Sequence, residues 1–352
     1  MKNTPHNIYF HVPFCKSKCN YCAFLSWACA TPDWDKYCDD ICDEILYWAN
    51  KMPNTDVPTV FFGGGTPSLM PAWCFEKIMQ TLYNNFQVAH NAEITIEANP
   101  GTIDKNKLND FISSGVNRIS VGVQSLDDDK LRFLGRRHSA DDAICLIRHA
   151  QNAKIRLSAD FIYGLPGENV TDTIKTVEQI NNLGLQHCSL YELTIEKNTP
   201  FGKMNLKMPD NETMAQMYNA IAENLTLKRY EVSNYATPGN ECRHNLNIWD
   251  GGAYIGIGQG GAGRIHIDNV WYEQMGNYQH FSPIDDDTRA VEKILMGIRT
   301  VSGCQLTDDV KKVIYTDWVQ AHPELVQIKD NRISATPQGM LILDDVVLKM
   351  VK

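Results

Sequence analysis

Three cysteines near the amino terminus have a spacing suited to metal chemistry. Cys15, Cys19 and Cys22 follow the pattern Cys-x3-Cys-x2-Cys and come after a short apolar run typical of a β-strand, so the thiols fall on the loop at its carboxyl end. A structural zinc site takes four Cys or His ligands, commonly as two close pairs, and no second pair lies nearby in the sequence. Three thiolates on one short loop suit a [4Fe-4S] cluster, which normally takes four protein ligands. One iron would then stay open to bind a substrate or cofactor through nitrogen and oxygen.

Two other interpretations of this loop remain open from the residues alone. Cys19 and Cys22 form a Cys-x-x-Cys pair that could be a thioredoxin-like redox centre, although Cys15 would then have no role. Three core cysteines are the second alternative, since free cysteine behaves as a small apolar residue. Lys16 and Lys18 make the loop polar for a core segment, and we therefore favour the cluster.

Further polar residues fall at the carboxyl ends of other predicted strands. Gly64, Gly65 and Thr66 follow one of these strands, and glycines let the backbone approach a ligand closely. Functional residues of parallel α/β barrels cluster at this end of the strands. Arg136 or Asp160 taken alone is explained equally well as a satisfied polar group. Together, however, four polar residues fall at the same edge of the predicted sheet, and this predicts a ligand that they share. Three lie at the ends of later strands and Arg136 lies on a strand–helix connection: Glu97, Gln124, Arg136 and Asp160.

The elements that must position these residues alternate between strands and helices. Seven β-like segments up to residue 233 are separated by helices at roughly 30-residue spacing, which is the pattern of a parallel sheet covered by helices. One of these helices is predicted near Ala140–Asn152 with Ser139 as its cap. A helix over Asn211–Lys228 is predicted to precede the last segment, Tyr230–Ser233.

Composition divides the chain into three predicted units. Residues 1–233 contain the strand and helix alternation. Residues 234–287 are rich in Gly, Asn and His, carry few helical signals and are expected to form a cap or linker of loops and strands over the sheet. In residues 288–352, a hairpin of Val326–Lys329 and Arg332–Ala335 between helices resembles a small winged-helix module. Its acidic residues favour packing or protein contact over nucleic-acid binding.

The composition also limits location and partners. The 352 residues carry a net charge of −9 and a pI near 5.6, so nucleic acid is not expected as a partner. No signal peptide opens the chain, and no apolar run reaches the roughly 18 residues of a membrane span. Eleven cysteines without an export signal favour reduced thiols and a cytoplasmic location.

Several segments of the chain resemble one known family. The cysteine pattern is similar to that of the radical S-adenosylmethionine (SAM) superfamily. Further words resemble its oxygen-independent coproporphyrinogen III oxidase-like family, and within it a shorter branch of haem chaperones. That resemblance implies an α/β fold, a partial (β/α)6 barrel with extra strands. The matching words occur in the family's order: Tyr-Phe-His-Val-Pro-Phe-Cys (9–15), Phe-Gly-Gly-Gly-Thr-Pro-Ser-Leu (62–69), Ile-Glu-Ala-Asn-Pro (96–100), Asn-Arg-Ile-Ser-Val-Gly-Val-Gln-Ser (117–125), Gly-Arg-Arg-His (135–138), Asp-Phe-Ile-Tyr-Gly-Leu-Pro-Gly (160–167) and Ser-Leu-Tyr-Glu-Leu-Thr-Ile-Glu (189–196).

The same resemblance implies which residues hold the cofactors. The three cysteines of the loop would bind the cluster, and the open iron would chelate the amino and carboxylate groups of SAM. Phe24 would pack near the adenine, Glu97 would hydrogen-bond the ribose and Arg136 would face the carboxylate. The full set implied for SAM is Tyr9, Phe24, Gly64, Gly65, Thr66, Glu97, Gln124, Arg136 and Asp160.

Three features favour the chaperone branch over the oxidase branch. Only 14 residues precede Cys15, whereas the oxidase branch has a longer amino-terminal segment, and Phe24 stands where that branch has a fourth cysteine. The third feature is a segment that resembles the branch's His-Asn-x-x-Tyr-Trp haem-binding word, with isoleucine for tyrosine: Cys242-Arg-His244-Asn-Leu-Asn-Ile248-Trp249. Histidine is a common axial ligand of haem iron, and tryptophan can pack on a porphyrin face. Cys242 is either a thiolate ligand or an idle thiol.

The resemblance therefore predicts a haem chaperone that binds one [4Fe-4S] cluster, SAM and haem, and that delivers haem to respiratory acceptor proteins. Turnover of SAM stays open. A second hypothesis is oxidative decarboxylation of coproporphyrinogen III or radical opening of haem, and a third is a radical SAM enzyme acting on a peptide or RNA. The electron donor is not identified by the sequence, and peripheral membrane association and a homodimer are both compatible with it.

Overall fold

One mixed sheet of twelve strands organises the chain. The structure, a computed structural model, describes residues 4–352, so the first three residues of the predicted unit 1–233 lie outside the described residues. In chain order the strands are β1 His6–Val12, β2 Phe14–Cys15, β3 Trp27–Ala28, β4 Asp56–Gly64, β5 Gln87–Ala98, β6 Arg118–Gln124, β7 Arg156–Tyr163, β8 His187–Glu192, β9 Lys228–Arg229, β10 Asn234–Ala236, β11 Ala253–Ile257, β12 Gly263–Ile267, β13 Val270–Gln274, β14 Phe281–Ile284, β15 Cys304–Gln305, β16 Val326–Lys329 and β17 Arg332–Ala335.

Helices connect these strands and cover the sheet. In chain order they are α1 Trp34–Lys51, α2 Ala72–Asn85, α3 Lys105–Ser113, α4 Asp128–Leu134, α5 Ala140–Asn152, α6 Val170–Asn182, α7 Asn211–Asn224, α8 Arg243–Trp249, α9 Asp286–Gly297, α10 Asp308–Lys312, α11 Thr316–Ala321, α12 Pro337–Leu341 and α13 Leu343–Met350. Two short 3-10 turns lie at Pro67–Leu69 and Phe201–Lys203.

The centre of the sheet is parallel. Its order is β14-β13-β12-β11-β1-β4-β5-β6-β7-β8-β10-β9, and the pairs from β11 through β8 are all parallel. Each of β1, β4, β5, β6, β7 and β8 is followed by at least one helix, which gives six strand–helix units. The predicted α/β fold is therefore confirmed, and the carboxyl ends of these six strands meet at one edge.

Local sequence explains why the helices form where they do. The carboxylate of Asp33 accepts a hydrogen bond from the Lys36 backbone N–H and caps α1, whose Cys38, Ile41 and Ile45 are buried against the sheet at helical spacing. Ser139 caps α5 in a capping box with Asp142, and this helix has the predicted bounds. These signals are local, which is why the sequence predicts them well.

The predicted seventh parallel strand, Tyr230–Ser233, is wrong. The chain instead makes an antiparallel ribbon, with β9 before this segment and β10 after it, at the edge of the sheet beyond β8. The Glu231 carboxylate accepts a hydrogen bond from the Ser233 backbone N–H, at 2.9 Å, and so closes the turn between the two strands. The preceding helix ends at Asn224 rather than Lys228, because Asn181 of α6 bonds the backbone of Asn224 and Thr226.

The Gly-rich segment extends the sheet instead of forming only a cap. Strand β11 pairs in parallel with β1, and β12 to β14 continue from it in antiparallel order. Helix α8, which begins after Cys242, was not predicted within this segment. This helix forms where the Glu93 carboxylate from β5 accepts its first backbone N–H groups, so the signal for it comes from another part of the chain.

The carboxyl-terminal residues form a separate small sheet, β15-β17-β16, with helices around it. The predicted hairpin of β16 and β17 is confirmed with its predicted bounds. Asp330 and Asn331 at its turn have φ values of 51° and 57°, which match the left-handed conformation that a two-residue hairpin turn requires. Across residues 4–352, none of the helices combines the length and apolar character needed to cross a membrane.

Candidate functional site

The three cysteines of the Cys-x3-Cys-x2-Cys loop line one cavity at the carboxyl edge of the parallel strands. Cys15 is buried, and Cys19 and Cys22 are partly exposed to the cavity. Two donors reach the sulfurs: the Thr66 hydroxyl lies 3.6 Å from Cys15 Sγ, and Arg136 Nη1 lies 3.4 Å from Cys19 Sγ. Such donors stabilise thiolates, the form in which cysteine ligates metal. Burial raises the pKa of Cys22, so its thiolate needs the metal's charge.

Hydrogen bonds to three parts of the chain hold this loop in shape. Strands β2 and β3 pair in parallel across it, with the Cys29 backbone N–H donating to Cys15 O at 2.9 Å. The Asn20 side chain donates to Phe133 O at 2.8 Å, beside the end of α4. Lys18 Nζ donates to the carbonyl oxygens of Phe24 and Ser26, each at 3.1 Å. These contacts fix the path of the loop past the three cysteines.

Glycines allow the second strand end to approach the loop. A Cβ atom added to Gly65 would lie 2.7 Å from Phe14 O and 3.0 Å from Cys15 Sγ. Gly64 has a φ of 112°, which an L side chain rarely adopts. The Gly65 backbone N–H donates to Val12 O at 2.7 Å. A side chain at Gly65 would thus push the cysteine loop away from β4.

Two partly buried carboxyl groups, those of Glu97 on β5 and Asp160 on β7, line the cavity. Burial, and next the charge of Asp160, raise the pKa of Glu97 to about 8, although the Gly64 backbone N–H opposes the shift. Burial also raises the pKa of Asp160. Its oxygens accept hydrogen bonds from three serines, Ser120 at 2.9 Å, Ser158 at 3.2 Å and Ser189 at 2.7 Å. The pair offers acceptors for ligand hydroxyl groups.

The end of β6 is strained where it reaches the cavity. Gln124 has a φ of 66°, and the pairing of β6 with β7 shifts register between Gly122 and Gln124. A non-glycine residue in this conformation is uncommon and often marks a functional position. Arg136 lies beside it, donating from Nη2 to Gly122 O at 2.8 Å and to the Asn99 side chain. The arginine therefore connects β5, β6 and the cysteine loop.

The structure brings together eight of the nine positions predicted for SAM. Phe24, which is 68% exposed, contributes an open aromatic face. Tyr9 does not line the cavity, because its ring lies beneath the floor, where it packs on Phe61 with the ring centroids 6.2 Å apart. The residues that do line the cavity are Phe24, Gly64, Gly65, Thr66, Glu97, Gln124, Arg136 and Asp160.

The cavity is also lined by residues that were not predicted as site residues, among them Asn99, Ser120 and Tyr191. Asn99 follows β5 and bonds both Thr66 and Arg136, and Ser120 and Tyr191 line the same wall. Strand alternation could have found two of them, since Ser120 shares a face of β6 with Gly122 and Tyr191 shares a face of β8 with Ser189. Asn99 stands within a word that the sequence analysis quoted.

The cysteines and their surroundings fit a [4Fe-4S] cluster. All three are free thiols on one wall of a single cavity. Within residues 4–352, no group of three or more His, Cys, Asp or Glu side chains is arranged to hold a single metal ion. The three thiols share one cavity, as ligands of a polynuclear group must. Arg136 and Thr66 supply donors to sulfur, as iron–sulfur sites commonly have.

The predicted haem-binding word lies at the opposite, amino end of the barrel strands. The His244 side chain is 2% exposed and is inserted among the first residues of β1 and β4. Its Nδ1 atom lies 2.7 Å from Thr59 Oγ1, and its backbone N–H donates to Glu93 Oε1 at 2.9 Å. Burial lowers the pKa of His244 to about 4, so the imidazole is neutral at pH 7. Its Nε2 atom is buried without a hydrogen-bond partner in the described part of the chain.

Cys242 is buried and Trp249 is partly exposed in this conformation. Burial raises the pKa of the Cys242 thiol to about 11, and its sulfur lies 3.7 Å from Glu93 Oε1. The guanidinium of Arg299 covers the Trp249 ring at 4.8 Å from its centroid. Haem binding by His244, Cys242 and Trp249 stays a prediction; in this conformation α8 packs the His244 and Cys242 side chains against β4 and β5.

Comparison with known proteins places this architecture in a family. The sequence model of the Radical SAM superfamily matches residues 9–180. "Heme chaperone HemW" of Escherichia coli K12 is 36% identical over 270 residues, covering 75% of this chain and 71% of the relative. The chain belongs to the HemW family of radical SAM proteins. A second relative, "Heme chaperone HemW" of Mycobacterium tuberculosis, is 29% identical over 378 residues, covering 99% of this chain and 95% of the relative.

A solved structure shows the same fold. Coproporphyrinogen III oxidase (HemN) from Escherichia coli, described as a radical SAM enzyme, superposes with a TM-score of 0.82 over 98% of this chain and 90% of that chain, at 19% identity. At that identity the likeness extends to the fold alone. Membership of the radical SAM superfamily implies a [4Fe-4S] cluster and SAM, and the cavity described above has the residues to hold both.

Proposed function

We propose that this protein is a haem chaperone of the HemW family that binds haem through His244 and passes it to acceptor proteins. The observation that carries the proposal is the state of that imidazole. Thr59 Oγ1 donates to Asn7 Oδ1 at 2.7 Å, so its single proton is used there, and His244 Nδ1 must be the donor to Thr59. Nε2 then has a free lone pair and no partner. A neutral imidazole oriented through Nδ1 is the form that ligates iron.

Haem reaches His244 only after α8 moves away from the base of the barrel. The helix is held there by polar contacts of His244, of Arg243, which donates to Asn91 O at 2.7 Å, and of Asn247, which donates to Asn7 Oδ1 at 3.1 Å. Once the helix is released, Trp249 can pack on the porphyrin face. Cys242 becomes available at the same time as an alternative ligand. In this proposal the present conformation is the closed form, in which the His244 imidazole is buried and cannot reach haem iron.

The cavity at the other end would hold the cluster and SAM. Cys15, Cys19 and Cys22 would bind the cluster, which in its reduced form supplies an electron to the sulfonium of SAM. Backbone groups of Gly64 and Gly65 would approach the methionyl ammonium. The residues with polar or aromatic side chains would orient the rest of the molecule: Tyr9 from below, and Phe24, Thr66, Glu97, Gln124, Arg136 and Asp160 from the walls.

The proposal includes the protein's surroundings. The acceptors would be respiratory haem proteins, reached by a cytoplasmic protein that contacts the membrane surface peripherally or acts as a homodimer. All eleven cysteines are free thiols, which supports a reducing compartment. The net charge of −9 disfavours nucleic acid as a partner.

Anaerobic haem titration tests the function. The cluster is reconstituted, haem is added, and the Soret band is compared among wild type, His244→Ala and the matched control His280→Ala, which removes an exposed imidazole. We expect a Soret shift that persists after gel filtration in wild type and control and that is lost in His244→Ala. Circular dichroism and cluster absorbance establish that the variant is folded.

A parallel reaction separates the chaperone from an enzyme of the same family. Coproporphyrinogen III, SAM and a reductant are supplied, and the products are separated by chromatography. The complete cavity, with both carboxyl groups in place, makes the oxidase the second candidate. Formation of protoporphyrinogen would assign the oxidase activity instead, and absence of any Soret change in wild type would refute haem binding.

A further inference from the structure

Positive charge is concentrated on the outer side of the cysteine loop. A second cavity there is lined by Lys16, Arg136 and Arg137, and none of its lining residues is a carboxylate. Lys107 lies at its edge, donating from Nζ to Ser68 O at 2.6 Å, and burial followed by the charge of Lys16 lowers the pKa of Lys107 to about 8. Four cationic side chains thus stand together on a protein whose net charge is −9.

These charges are not compensated by protein carboxylates in ion pairs. Over residues 4–352, Lys16, Lys107, Arg136 and Arg137 make no ion pair, whereas Lys36, Lys77 and Lys130 each pair with a carboxylate. Asp104, the cap of α3, is the acid that acts on Lys107 and moderates the field there. Lys16 and Arg137 are exposed, so their charges face outward.

Cys19 connects this outer cavity to the inner one. Cys19 lines both cavities. Four other residues also line both, Ser17, Thr66, Asn99 and Arg136, so a wall one residue thick separates the two cavities. The inner cavity is the one with the carboxylates and the predicted SAM positions. The outer cavity therefore reaches Cys19 from a side that Glu97 and Asp160 do not line.

We propose that the surface around Lys16, Lys107 and Arg137 docks an acidic one-electron donor protein, which reduces the cluster through the wall at Cys19. The donor, a reduced flavin or iron–sulfur carrier, loses one electron. The [4Fe-4S] cluster gains it and passes from the 2+ to the 1+ state without proton transfer. Charge complementarity selects the partner, because an acidic carrier is repelled by the rest of this acidic chain and attracted to this surface.

The inference rests on the cluster of the proposed function and is independent of haem. Arg136 contacts Cys19 and belongs to the inner cavity, so the docking charges that can be changed separately are Lys16 and Arg137. Absence of a cluster from reconstituted wild type would refute the cluster site of the proposed function. If the cluster is present and its reduction rate does not depend on these two charges, only the docking surface is refuted.

The test compares two double variants of equal net charge. The first combines Lys16→Glu and Arg137→Glu. The control combines Arg148→Glu and Lys175→Glu, on the exposed faces of α5 and α6. Each loaded protein is mixed with a reduced acidic flavodoxin, and cluster reduction is followed by stopped-flow absorbance and electron paramagnetic resonance. We expect the bimolecular rate to fall at least about tenfold in the first variant at about 0.02 M salt and the difference to disappear near about 0.5 M.

Two further measurements show where the charges act. Methyl viologen, a small cationic reductant, should reduce the first variant at least as fast as wild type. Titration of oxidised flavodoxin against cluster-free protein should show the same loss of affinity without any redox step. The docking surface is refuted if the flavodoxin rate is unchanged, if the control falls equally, or if the methyl viologen rate falls with it.

Discussion

The Nδ1 atom of His244 lies 2.7 Å from the hydroxyl oxygen of Thr59, a residue 185 positions earlier in the chain. Both residues are almost fully buried, and the contact joins α8 to the amino end of β4. In the proposed function this same imidazole is the haem ligand. Packing of α8 and binding of haem therefore compete for one side chain, and the strength of the Thr59 contact sets how readily the ligand is released.

Removing this contact should make haem binding faster and the protein less stable. Thr59→Val keeps the side-chain volume but leaves His244 Nδ1 and Asn7 Oδ1 without the hydroxyl. An unsatisfied buried polar group costs roughly 1–3 kcal/mol. We expect the free energy of unfolding to fall by about that amount, and the haem association rate, followed by stopped-flow Soret absorbance, to rise about fivefold for each 1 kcal/mol.

Thr171→Val, on the exposed first turn of α6, is the matched control and should change neither quantity. A destabilised Thr59→Val protein that takes up haem at the wild-type rate would mean that α8 does not gate the ligand.

Buried neutral histidines should make the fold sensitive to acid. Burial lowers the pKa of His6, His138 and His244 to about 4 in each case, and that of His187 well below its usual value. Below pH 6.5 the unfolded chain binds protons that the folded protein does not, so the unfolding free energy falls as pH drops from 7 towards 4. We expect a loss of up to roughly 1 kcal/mol per histidine per pH unit, measured by urea denaturation at pH 7, 6 and 5.

One variant of a buried histidine and one of an exposed histidine test whether the buried histidines cause the loss of stability in acid. His138→Asn should reduce the slope of stability with pH, because His138 accounts for part of the proton uptake. His280→Gln replaces an exposed imidazole and should leave the slope unchanged. Stability that stays flat or rises on acidification would contradict the assignment.

The cluster should depend on the loop cysteines and on no other exposed thiol. Cys19→Ser removes the sulfur that Arg136 contacts and that lines both cavities. We expect loss of the brown cluster absorbance and of bound iron after anaerobic reconstitution, since two thiolates hold a cubane poorly. Cys145→Ser, which changes an exposed cysteine on α5, should keep wild-type iron content. Full iron content in Cys19→Ser would remove the basis for the cluster site.

The sequence predicts the upper end of the barrel well for a physical reason. Parallel strands place their carboxyl ends at one edge, so residues such as Glu97, Gln124 and Asp160 converge wherever the strands are correctly found. Caps such as Ser139 are equally local. Tyr9 packs on Phe61 outside the cavity lining, and strand alternation alone does not predict that detail.

The base of the barrel could not be predicted from local pattern. Helix α8 begins where the Glu93 carboxylate accepts a hydrogen bond from the His244 backbone N–H. These two residues are 151 positions apart in the chain. The turn after α7 is closed by Glu231 bonding Ser233, which reverses a segment that has the composition of a strand. Both outcomes depend on tertiary hydrogen bonds that override propensity.

Replacing Glu97 with glutamine should stabilise the cofactor-free protein at alkaline pH. Burial and the nearby Asp160 raise the pKa of Glu97 to about 8, above that of an unfolded glutamate, so the folded state holds a proton that the unfolded state has released. Stability conferred by this group is therefore lost as pH rises from about 4.5 to about 8.

Glu97→Gln imitates the protonated carboxyl group at every pH. We expect it to be more stable than wild type by roughly 2 kcal/mol at pH 8 and nearly equal at pH 5, measured by urea denaturation without cluster or SAM. SAM binding to the loaded protein should weaken by about tenfold, because the amide replaces one carboxyl oxygen with an NH2 group that cannot accept a hydrogen bond from the ribose. Glu76→Gln on the surface of α2 is the control for both measurements. Equal stability of Glu97→Gln and wild type at pH 8 would mean that the carboxyl group is not held protonated by the fold.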